Sequence, residues 1–456
     1  MNRHRLSTLL CCLGACLAAC ESARAYEMVV TPVATAASRS PEQAAGMVQA
    51  LQAVLRLHPA VQGKRAEVAA KQSAGESARA QRLPSLSAQW AAQKNDQSDG
   101  NPASLRLRQP LWAFGRIDST IAVADADTQA EMADLQRVQR QLLDQTAAAY
   151  VRAWGARLRM QVGYENQSEL QGLRERIRRR MGGELASTAD VRLAEARLLQ
   201  GRMQRDRLES EWLLAQTELE ALARTPVDSS LPVPTEILSS GSSRSLADWL
   251  RLAEDAHADL SFKTQRVRVT EAEVERERLA PMPSVYLQVD RSFQTGSGAN
   301  PGTTVGVVLE AALDNLGAAS RGRFASALSR RDAAVADRAS TLNEIQRTIR
   351  TLHLQREAQG QLRDNQARSV ADLKLLLESY QRQYEAGYKS WLDVLNMQRE
   401  LTEQRLAQVQ AETDWLIFGL RLAALTGELD LLADLRQGNG LQNQAEETQR
   451  AGMRDE

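Results

Sequence analysis

Mostly apolar side chains recur at alternating steps of three and four residues between Val394 and Leu425. This spacing is typical of a helix that packs along a partner, because every third and fourth residue lies on one helix face. The predicted seam comprises Val394, Met397, Leu401, Gln404, Gln408, Ala411, Trp415, Phe418, Leu422 and Leu425. A helix over 390–425 is therefore expected to pack lengthwise against another helix.

The same pattern occurs 203 positions earlier in the chain. Trp212 and Trp415 coincide at this offset, and both helices open with a Ser-x-x-Asp sequence, which begins at Ser187 and at Ser390. In such a capping box, the serine and aspartate side chains satisfy backbone N–H groups that the helix leaves free. The sequence thus indicates an internal duplication of one structural unit.

Two other regions have a period of two, in which apolar and polar residues alternate. The first, 85–112, contains two alternating runs around a polar turn from Lys94 to Ala103, and the second, 284–313, is built alike. Alternation predicts strands with one apolar and one polar face, so each region is expected to form a hairpin. The pattern is typical of membrane-barrel strands, and a half-buried soluble hairpin would show it too.

Each hairpin is followed by a long stretch without proline and with few glycines, 117–181 in the first unit and 318–386 in the second. At about 1.5 Å per residue, each stretch predicts a helix of roughly 100 Å. Capped helices over 187–222 and 390–425 return along them. The residues therefore predict a mostly helical α+β chain that is internally duplicated.

The domain boundaries follow from this repeat. We expect a first unit over 41–225 and a second unit over 246–427. A segment rich in proline, serine and glycine, 226–245, is expected to link them, and a polar tail occupies 428–456.

The first residues have the features of a targeting segment. Arginines precede an apolar run from Leu6 to Cys20, and a small-x-small sequence ending at Ala25 offers a cleavage site. The sequence from Leu17 to Cys20 also matches a bacterial lipobox, whose cysteine becomes a lipidated first residue. Two processing routes are therefore open, removal of a signal peptide over 1–25 or lipidation of Cys20.

Composition argues against several classes of protein. The chain has 57 basic and 57 acidic residues, whereas a nucleic-acid-binding protein needs a concentrated basic face. All four cysteines lie within the targeting segment, so none is left for a disulfide framework or a metal site. No phosphate loop or nucleophile motif is visible, and no enzyme activity, cofactor or metal is expected. Of the remaining histidines, His58 and His257 are repeat-related and are expected to mark helix junctions.

Four predicted strands cannot close a barrel, and an open strand edge is not tolerated in lipid. The chain must therefore assemble with copies of itself, since two copies would supply eight strands and three would supply twelve. The long amphipathic helices are expected to lie outside the bilayer as a helical tube. Together these features favour a conduit through the outer membrane of a Gram-negative bacterium, reaching into the periplasm.

Two segments and the duplicated order resemble the TolC family of outer-membrane channels, over essentially the whole mature chain. The segments are 107–115, LRQPLWAFG, at the strand-to-helix junction and 384–396, YEAGYKSWLDVLN, at the second helix turn. The resemblance implies a homotrimer with a twelve-stranded β-barrel and a periplasmic α-helical barrel, embedded in outer-membrane lipid. It also implies two kinds of partner, a periplasmic adaptor protein and an inner-membrane transporter of the ABC or RND class.

The similarity extends to a branch of the family. The run 390–396 followed by 398–401 looks most like the branch that serves type I secretion of large adhesins. Multidrug or metal efflux is the alternative substrate class.

The resemblance also implies a gate at the two helix turns. It maps a constricting acidic ring onto Asp393, and links that hold the closed state onto Tyr384, Lys389 and Asp190. Asn396 stands where a second acidic residue can occur, so the ring would carry less charge. From the residues alone, both aspartates are equally expected to cap their helices, and Tyr384 and Lys389 to be ordinary turn residues. One extra residue in the first turn leaves the register of Asp190 open.

A periplasmic adaptor with a coiled-coil hairpin is the main rival from another class. An adaptor would carry β-rich flanks around one helical hairpin. Here strands interrupt two helical units at matched positions, so the repeat favours the channel.

Overall fold

The computed structural model describes residues 46–90, 93–95, 98–233, 244–295, 302–311 and 314–433. The expected signal peptide over 1–25 with Cys20, much of the linker, and the tail beyond residue 433 lie outside the described residues.

The first half of the described chain contains four helices and three strands. In chain order they are α1 (Met47–Leu57), α2 (Pro59–Ala80), β1 (Ser85–Trp90), β2 (Gln93–Asn95), β3 (Ser98–Trp112), α3 (Arg116–Gly182) and α4 (Thr188–Ala223). With 67 residues, α3 is about 100 Å long. α4 packs along α3.

The second half repeats this order. Its elements are α5 (Leu246–Ala256), α6 (Ala258–Leu279), β4 (Ser284–Thr295), β5 (Thr303–Glu310), a 3-10 turn (Asp314–Gly317), α7 (Ala318–Glu385), α8 (Trp391–Leu425) and the short α9 (Leu429–Leu432). α7 has 68 residues, one more than α3. Among the helices described, none combines the length and the apolar character needed to cross a membrane.

Repeat-related residues begin the helices. Gly115 and Gly317 precede the two long helices with φ of 81° and 84°, a left-handed conformation that glycine adopts without steric cost. His58 and His257 are the N-caps of α2 and α6. In each, the ring Nδ1 accepts a hydrogen bond from the backbone N–H two residues on, at 3.2 and 3.1 Å. The expectation that these histidines mark helix junctions is confirmed.

The strands form one antiparallel sheet in the order β1, β3, β4, β5, with β2 paired to part of β3. β3 and β4 join the two repeats, from Asn101 paired with Thr295 to Trp112 paired with Val285. The sheet therefore combines both hairpins of the chain.

The first hairpin is longer than expected. β2 pairs with the start of β3, with Gln93 opposite Gly100 and Asn95 opposite Ser98. Strand therefore occupies much of the polar turn expected from Lys94 to Ala103. Backbone pairing continues through these polar residues because the alternating part of the hairpin has already set the register.

The helices continue the lateral order of the strands. Next to the sheet, contacts place the helices in the order α2, α3, α6, α7. Farther from the sheet, α4 and α8 replace α2 and α6, and the order becomes α4, α3, α8, α7. Of the described helices, α3 and α7 belong to both parts. The chain is thus a four-stranded sheet extended by a four-helix layer.

The largest group of buried side chains lies where α1, α3, α4 and α8 meet. It includes Val227 and Val233 from the expected linker, and Leu429 and Ala433 from the expected tail. These parts of 226–245 and 428–456 therefore belong to the folded unit, contrary to expectation. Their apolar side chains are withdrawn from water by completing the core.

Helix α8 buries two faces. The predicted seam is correct at Val394, Leu401, Ala411 and Leu422, which are at most 5% exposed. A second row toward α3 is buried as well: Leu395, Gln398, Thr402, Leu416, Leu420 and Ala423. A single apolar seam predicts packing against one neighbouring helix. Helix α8 buries a second face because it lies between α7 and α3.

Candidate functional site

The two faces of the sheet differ in chemistry. The cross-strand register places mainly apolar side chains on one face: Leu86, Trp90, Leu105, Leu107, Leu287, Val289, Phe293, Val305, Val307 and Leu309. Val305 is 65% exposed, and Val307 and Leu309 are each 67% exposed. A soluble half-buried hairpin would pack this face against its own chain. The exposure instead favours a face that meets lipid.

The opposite face carries charged and hydroxyl groups. Arg106 donates a hydrogen bond to the carboxylate of Asp290 at 2.6 Å, and Arg108 donates one to Glu310 at 2.7 Å. The Arg108 guanidinium also lies 4.4 Å from the ring centroid of Tyr286. Arg106 and Asp290 lie on neighbouring strands, whereas Arg108 reaches past β4 to Glu310 on β5. Ion pairs between strands stabilise a sheet and suit a side that faces water.

Aromatic residues mark both ends of the apolar face. Trp90 and Phe293 lie in one cross-strand row with Ala103, and Trp112 lies nine residues farther along β3. Nine residues span about 30 Å along a strand, or roughly 23 Å across the membrane at a tilt of about 40°. This height is close to the apolar band of about 25 Å between the aromatic girdles of outer-membrane barrels.

The sheet has two open edges. In the residues that the structure describes, β1 pairs only with β3 and β5 pairs only with β4. The outer N–H and C=O groups of both strands therefore lack partners among the described residues. Leaving them unpaired in lipid would cost several kcal/mol each.

The turns after α3 and α7 lie at the other end of the long helices and share one backbone conformation. The N–H of Leu185 donates to the carbonyl of Arg180 at 2.8 Å, and the N–H of Tyr388 donates to that of Gln383 at 2.8 Å. Both bonds close a helix end of the Schellman type, which needs a left-handed residue just before the donor.

That left-handed residue is Glu184 in the first turn, with φ of 61°, and Gly387 in the second, with φ of 83°. These two residues are 203 positions apart, as are Asp190 and Asp393. Gly183 is therefore not the counterpart of Gly387. With Glu184 as the counterpart of Gly387, the two turns are equal in length, and Asp190 is in register with Asp393.

Asp190 and Asp393 form matching capping boxes with their serines. The Asp393 carboxylate accepts hydrogen bonds from the backbone N–H and hydroxyl of Ser390 at 3.1 and 2.8 Å. The Asp393 N–H donates to the Ser390 hydroxyl at 3.2 Å. Asp190 makes the same three bonds with Ser187, at 3.1, 2.8 and 3.1 Å. The expectation that both aspartates cap helices is confirmed.

The cap also affects the charge of Asp393. The hydrogen bonds from Ser390, together with the nearby Lys389, lower the pKa of the Asp393 carboxyl below its ordinary value. Asp393 is therefore ionised at neutral pH. The same carboxylate can cap its helix and present a negative charge.

Tyr384 lies between the two turns. Its ring is 5.3 Å from the ring of Trp391 and 4.7 Å from the guanidinium of Arg180. Burial raises the pKa of the Tyr384 hydroxyl, Arg180 opposes this shift, and Asp190 adds to it. The structure thus brings two of the expected gate residues, Tyr384 and Asp190, within electrostatic range.

The remaining gate candidates are arranged differently. The Nζ of Lys389 lies 4.4 Å from the ring centroid of Tyr380, and the ammonium is close enough to Asp393 to affect its pKa. Asn396 is exposed on α8. None of the contacts found in the described residues joins Asn396 to the other four candidates.

Sequence reasoning missed a buried polar cluster between α3 and α8. Thr402 donates a hydrogen bond to the Asn166 side-chain oxygen at 2.9 Å, and Gln398 donates one to the same oxygen at 3.3 Å. All three residues are at most 6% exposed. The spacing of Gln398 and Thr402, four residues apart beside the seam, is the signal that could have revealed this cluster.

Comparison with known proteins supports this geometry. Residues 249–428 match the family model described as outer membrane efflux protein. No curated protein matches the chain in sequence.

Solved structures share the fold. The outer membrane protein VceC from Vibrio cholerae has 17% identity and a TM-score of 0.69, covering 84% of this chain and 96% of its own. The outer-membrane channel OprN has 21% identity and a TM-score of 0.69, with coverage of 85% and 97%. The Neisseria gonorrhoeae MtrE channel, in its open state, has 16% identity and a TM-score of 0.69, with coverage of 84% and 89%.

The solved structures confirm the expected fold class. The match of residues 249–428 agrees with the family that the sequence motifs indicated. The family description agrees with the expected place in the outer membrane. Residues 249–428 therefore match the outer membrane efflux proteins, a family of passive channels and not of enzymes, and the described residues share the fold of solved outer-membrane channels.

Proposed function

We propose that three copies of the chain form the outer-membrane exit duct of a tripartite export system. The duct conducts substrate passively from an inner-membrane transporter and a periplasmic adaptor to the cell exterior. The observation that carries this proposal is an exposed apolar sheet face between two open edges. Three copies supply twelve strands, which close into a barrel without an edge in lipid.

The helical layer supports the same closure. Its outer helices expose apolar side chains: Leu199, Met203, Leu213 and Leu214 on α4, and Leu354, Leu362, Leu375 and Leu376 on α7. When α7 of one copy lies beside α4 of the next, these side chains are removed from water. The barrel is then continued by a closed helical tube in the periplasm.

The lipid-facing assignment can be tested on β5. Val305 belongs to the apolar face, about midway between the aromatic rows, and its neighbour Thr304 belongs to the polar face. Lysine on the lipid face near the midplane costs about 2–4 kcal/mol in each copy. Val305→Lys should therefore abolish the heat-modifiable trimer in outer-membrane fractions, and Thr304→Lys should retain it. Equal behaviour of the two variants would contradict the orientation of the sheet.

The gate belongs to the same proposal. Three Asp393 carboxylates around the axis of the trimer would repel anions and attract cations at the narrow end of the tube. The pair Tyr384 with Asp190 would link the two turns in the closed arrangement, and Lys389 would lie beside Asp393 in the second turn. Contacts with an adaptor would replace these links when the channel opens. Asn396 would be an uncharged position beside the ring.

For the substrate, we favour protein export by a type I system with an ABC transporter. This choice rests on the similarity of the 390–401 sequence to that branch. Multidrug or metal efflux with an RND transporter is the second candidate, because the matched family is described by efflux. Deletion of the gene should remove a large adhesin from the cell surface and leave drug and metal susceptibility unchanged. Increased susceptibility with normal surface protein would favour the second candidate.

A further inference from the structure

A cleft lies between the two turns, at the end of the long helices. Its volume is about 390 Å³, and its lining includes Leu173, Arg176, Arg179, Arg180, Tyr384 and Trp391. The arginines come from α3, and the aromatic rings come from α7 and α8. The cleft therefore combines three positive charges with a flat apolar wall.

The three arginines of the cleft differ from their neighbours on α3. Arg174 forms an ion pair with Glu175, and Arg178 forms one with Glu195 at 2.9 Å. In the described part of the chain, no carboxylate lies within ion-pair distance of the cleft arginines. Glu385 also lines the cleft, but it is exposed and forms no ion pair with them.

Other donors at the cleft also lack acceptors. The Nε1 of Trp391 and the Nε of Arg180 are buried without a hydrogen-bond partner among the described residues. A buried donor without an acceptor costs about 1–3 kcal/mol in general. The cleft thus has an excess of donors and positive charge.

Helix stabilisation accounts for only part of this charge. Basic residues in the last turn interact favourably with the helix dipole, which explains Arg179 and Arg180 at the end of α3. Arg176 lies more than one turn before Gly182, where this effect has faded. Its position in the cleft without an acidic partner needs another reason.

We propose that the cleft binds a small carboxylate that carries a flat apolar group. The carboxylate pairs with the guanidiniums of Arg176 and Arg179, and the apolar group lies against the rings of Tyr384 and Trp391. A guanidinium binds a carboxylate through two parallel N–H donors, and aromatic rings favour a flat apolar partner. Such a ligand contacts both turns at once.

The test uses naphthoate as the probe and the full mature protein in lipid nanodiscs. Isothermal titration calorimetry should show one naphthoate bound per chain, and much weaker binding of the uncharged naphthamide. Arg176→Gln should weaken naphthoate binding about tenfold, because a charge-assisted hydrogen bond is lost. Arg178→Gln is the matched control, on the same helix but paired outside the cleft, and should leave binding unchanged.

Arg176→Lys keeps the positive charge. It shows whether weaker binding by Arg176→Gln results from the lost guanidinium or from unfolding of that variant. Its naphthoate affinity should lie between those of the wild type and Arg176→Gln, with wild-type thermal unfolding by circular dichroism. The proposal is overturned if naphthoate does not bind, if naphthamide binds equally well, or if the Arg176 and Arg178 variants bind alike.

Discussion

The carboxylate of Asp393 accepts hydrogen bonds from both the backbone N–H and the hydroxyl of Ser390, at 3.1 and 2.8 Å. The residue proposed to form the acidic constriction is thus held by the first turn of its own helix. Because both bonds come from Ser390 and go to one carboxylate oxygen, the carboxylate is held against the start of α8. Cap and charge can be separated by substitution.

Asp393→Asn removes the charge and keeps a side chain of the same shape, so we expect the cation-over-anion selectivity of single channels to fall by roughly a factor of three. Ser390→Ala removes the cap and keeps the charge. It should cost about 1 kcal/mol of unfolding free energy and leave selectivity unchanged. Reversal potentials in planar bilayers and thermal unfolding would measure the two effects. If Asp393→Asn channels keep the wild-type selectivity, Asp393 caps its helix and does not contribute to ion selectivity.

Glu184 has a left-handed backbone in the turn where its counterpart is Gly387. Glu184→Gly should therefore stabilise the protein by about 0.5–1 kcal/mol, since glycine adopts this conformation without steric cost. Gly387→Ala should destabilise it by a similar or larger amount. Chemical denaturation of both variants would check the signs. A destabilised Glu184→Gly protein would show that the glutamate side chain contributes more than the strain removes.

Gly155 permits close approach of α3 and α8. A Cβ at this position would lie 2.2 Å from the hydroxyl oxygen of Thr413, whereas a Cβ at Gly172 on the same helix meets nothing within 4 Å. Gly155→Ala should cost about 1–3 kcal/mol because the helices must separate. Gly172→Ala should stabilise by up to about 1 kcal/mol through helix propensity. Thermal unfolding should show a lower melting temperature for Gly155→Ala and a higher one for Gly172→Ala. Shifts of the same sign in both variants would contradict the close packing of α3 and α8 at Gly155.

Burial and the nearby Arg140 lower the pKa of His257 from its ordinary value of about 6.5, against the opposing effect of Asp259. The unfolded chain therefore binds the proton more readily. The stability from neutral His257 is present above about pH 6.5 and is lost as the pH falls toward the lowered pKa.

His257→Asn keeps a good N-cap and does not titrate in this range. The loss of melting temperature between about pH 7.5 and pH 5 should be smaller in this variant than in the wild type. Circular dichroism melts at the two pH values would measure it. An unchanged loss would mean that other groups dominate the acid sensitivity.

Features that depend on local rules could be predicted from the sequence. The capping boxes at Ser187 and Ser390 follow from three-residue spacing, and the sheet faces follow from strict alternation. Features that depend on packing against an additional segment of the chain could not be predicted from the sequence. The burial of Gln398 toward α3 and of Val227 in the core results from contacts between segments far apart in the chain. Glu184 was missed because a left-handed glutamate is rare, and the glycine beside it was the better candidate.

The open edges of β1 and β5 also bear on the time before assembly. A newly exported chain would present two unpaired strands and a bare apolar surface to the aqueous compartment between the membranes, where either edge could nucleate aggregates. Folding of these strands in advance of insertion would therefore be hazardous. If three copies assemble as proposed, safe delivery requires that this part of the polypeptide stay unstructured or bound to a chaperone until the partner strands are present.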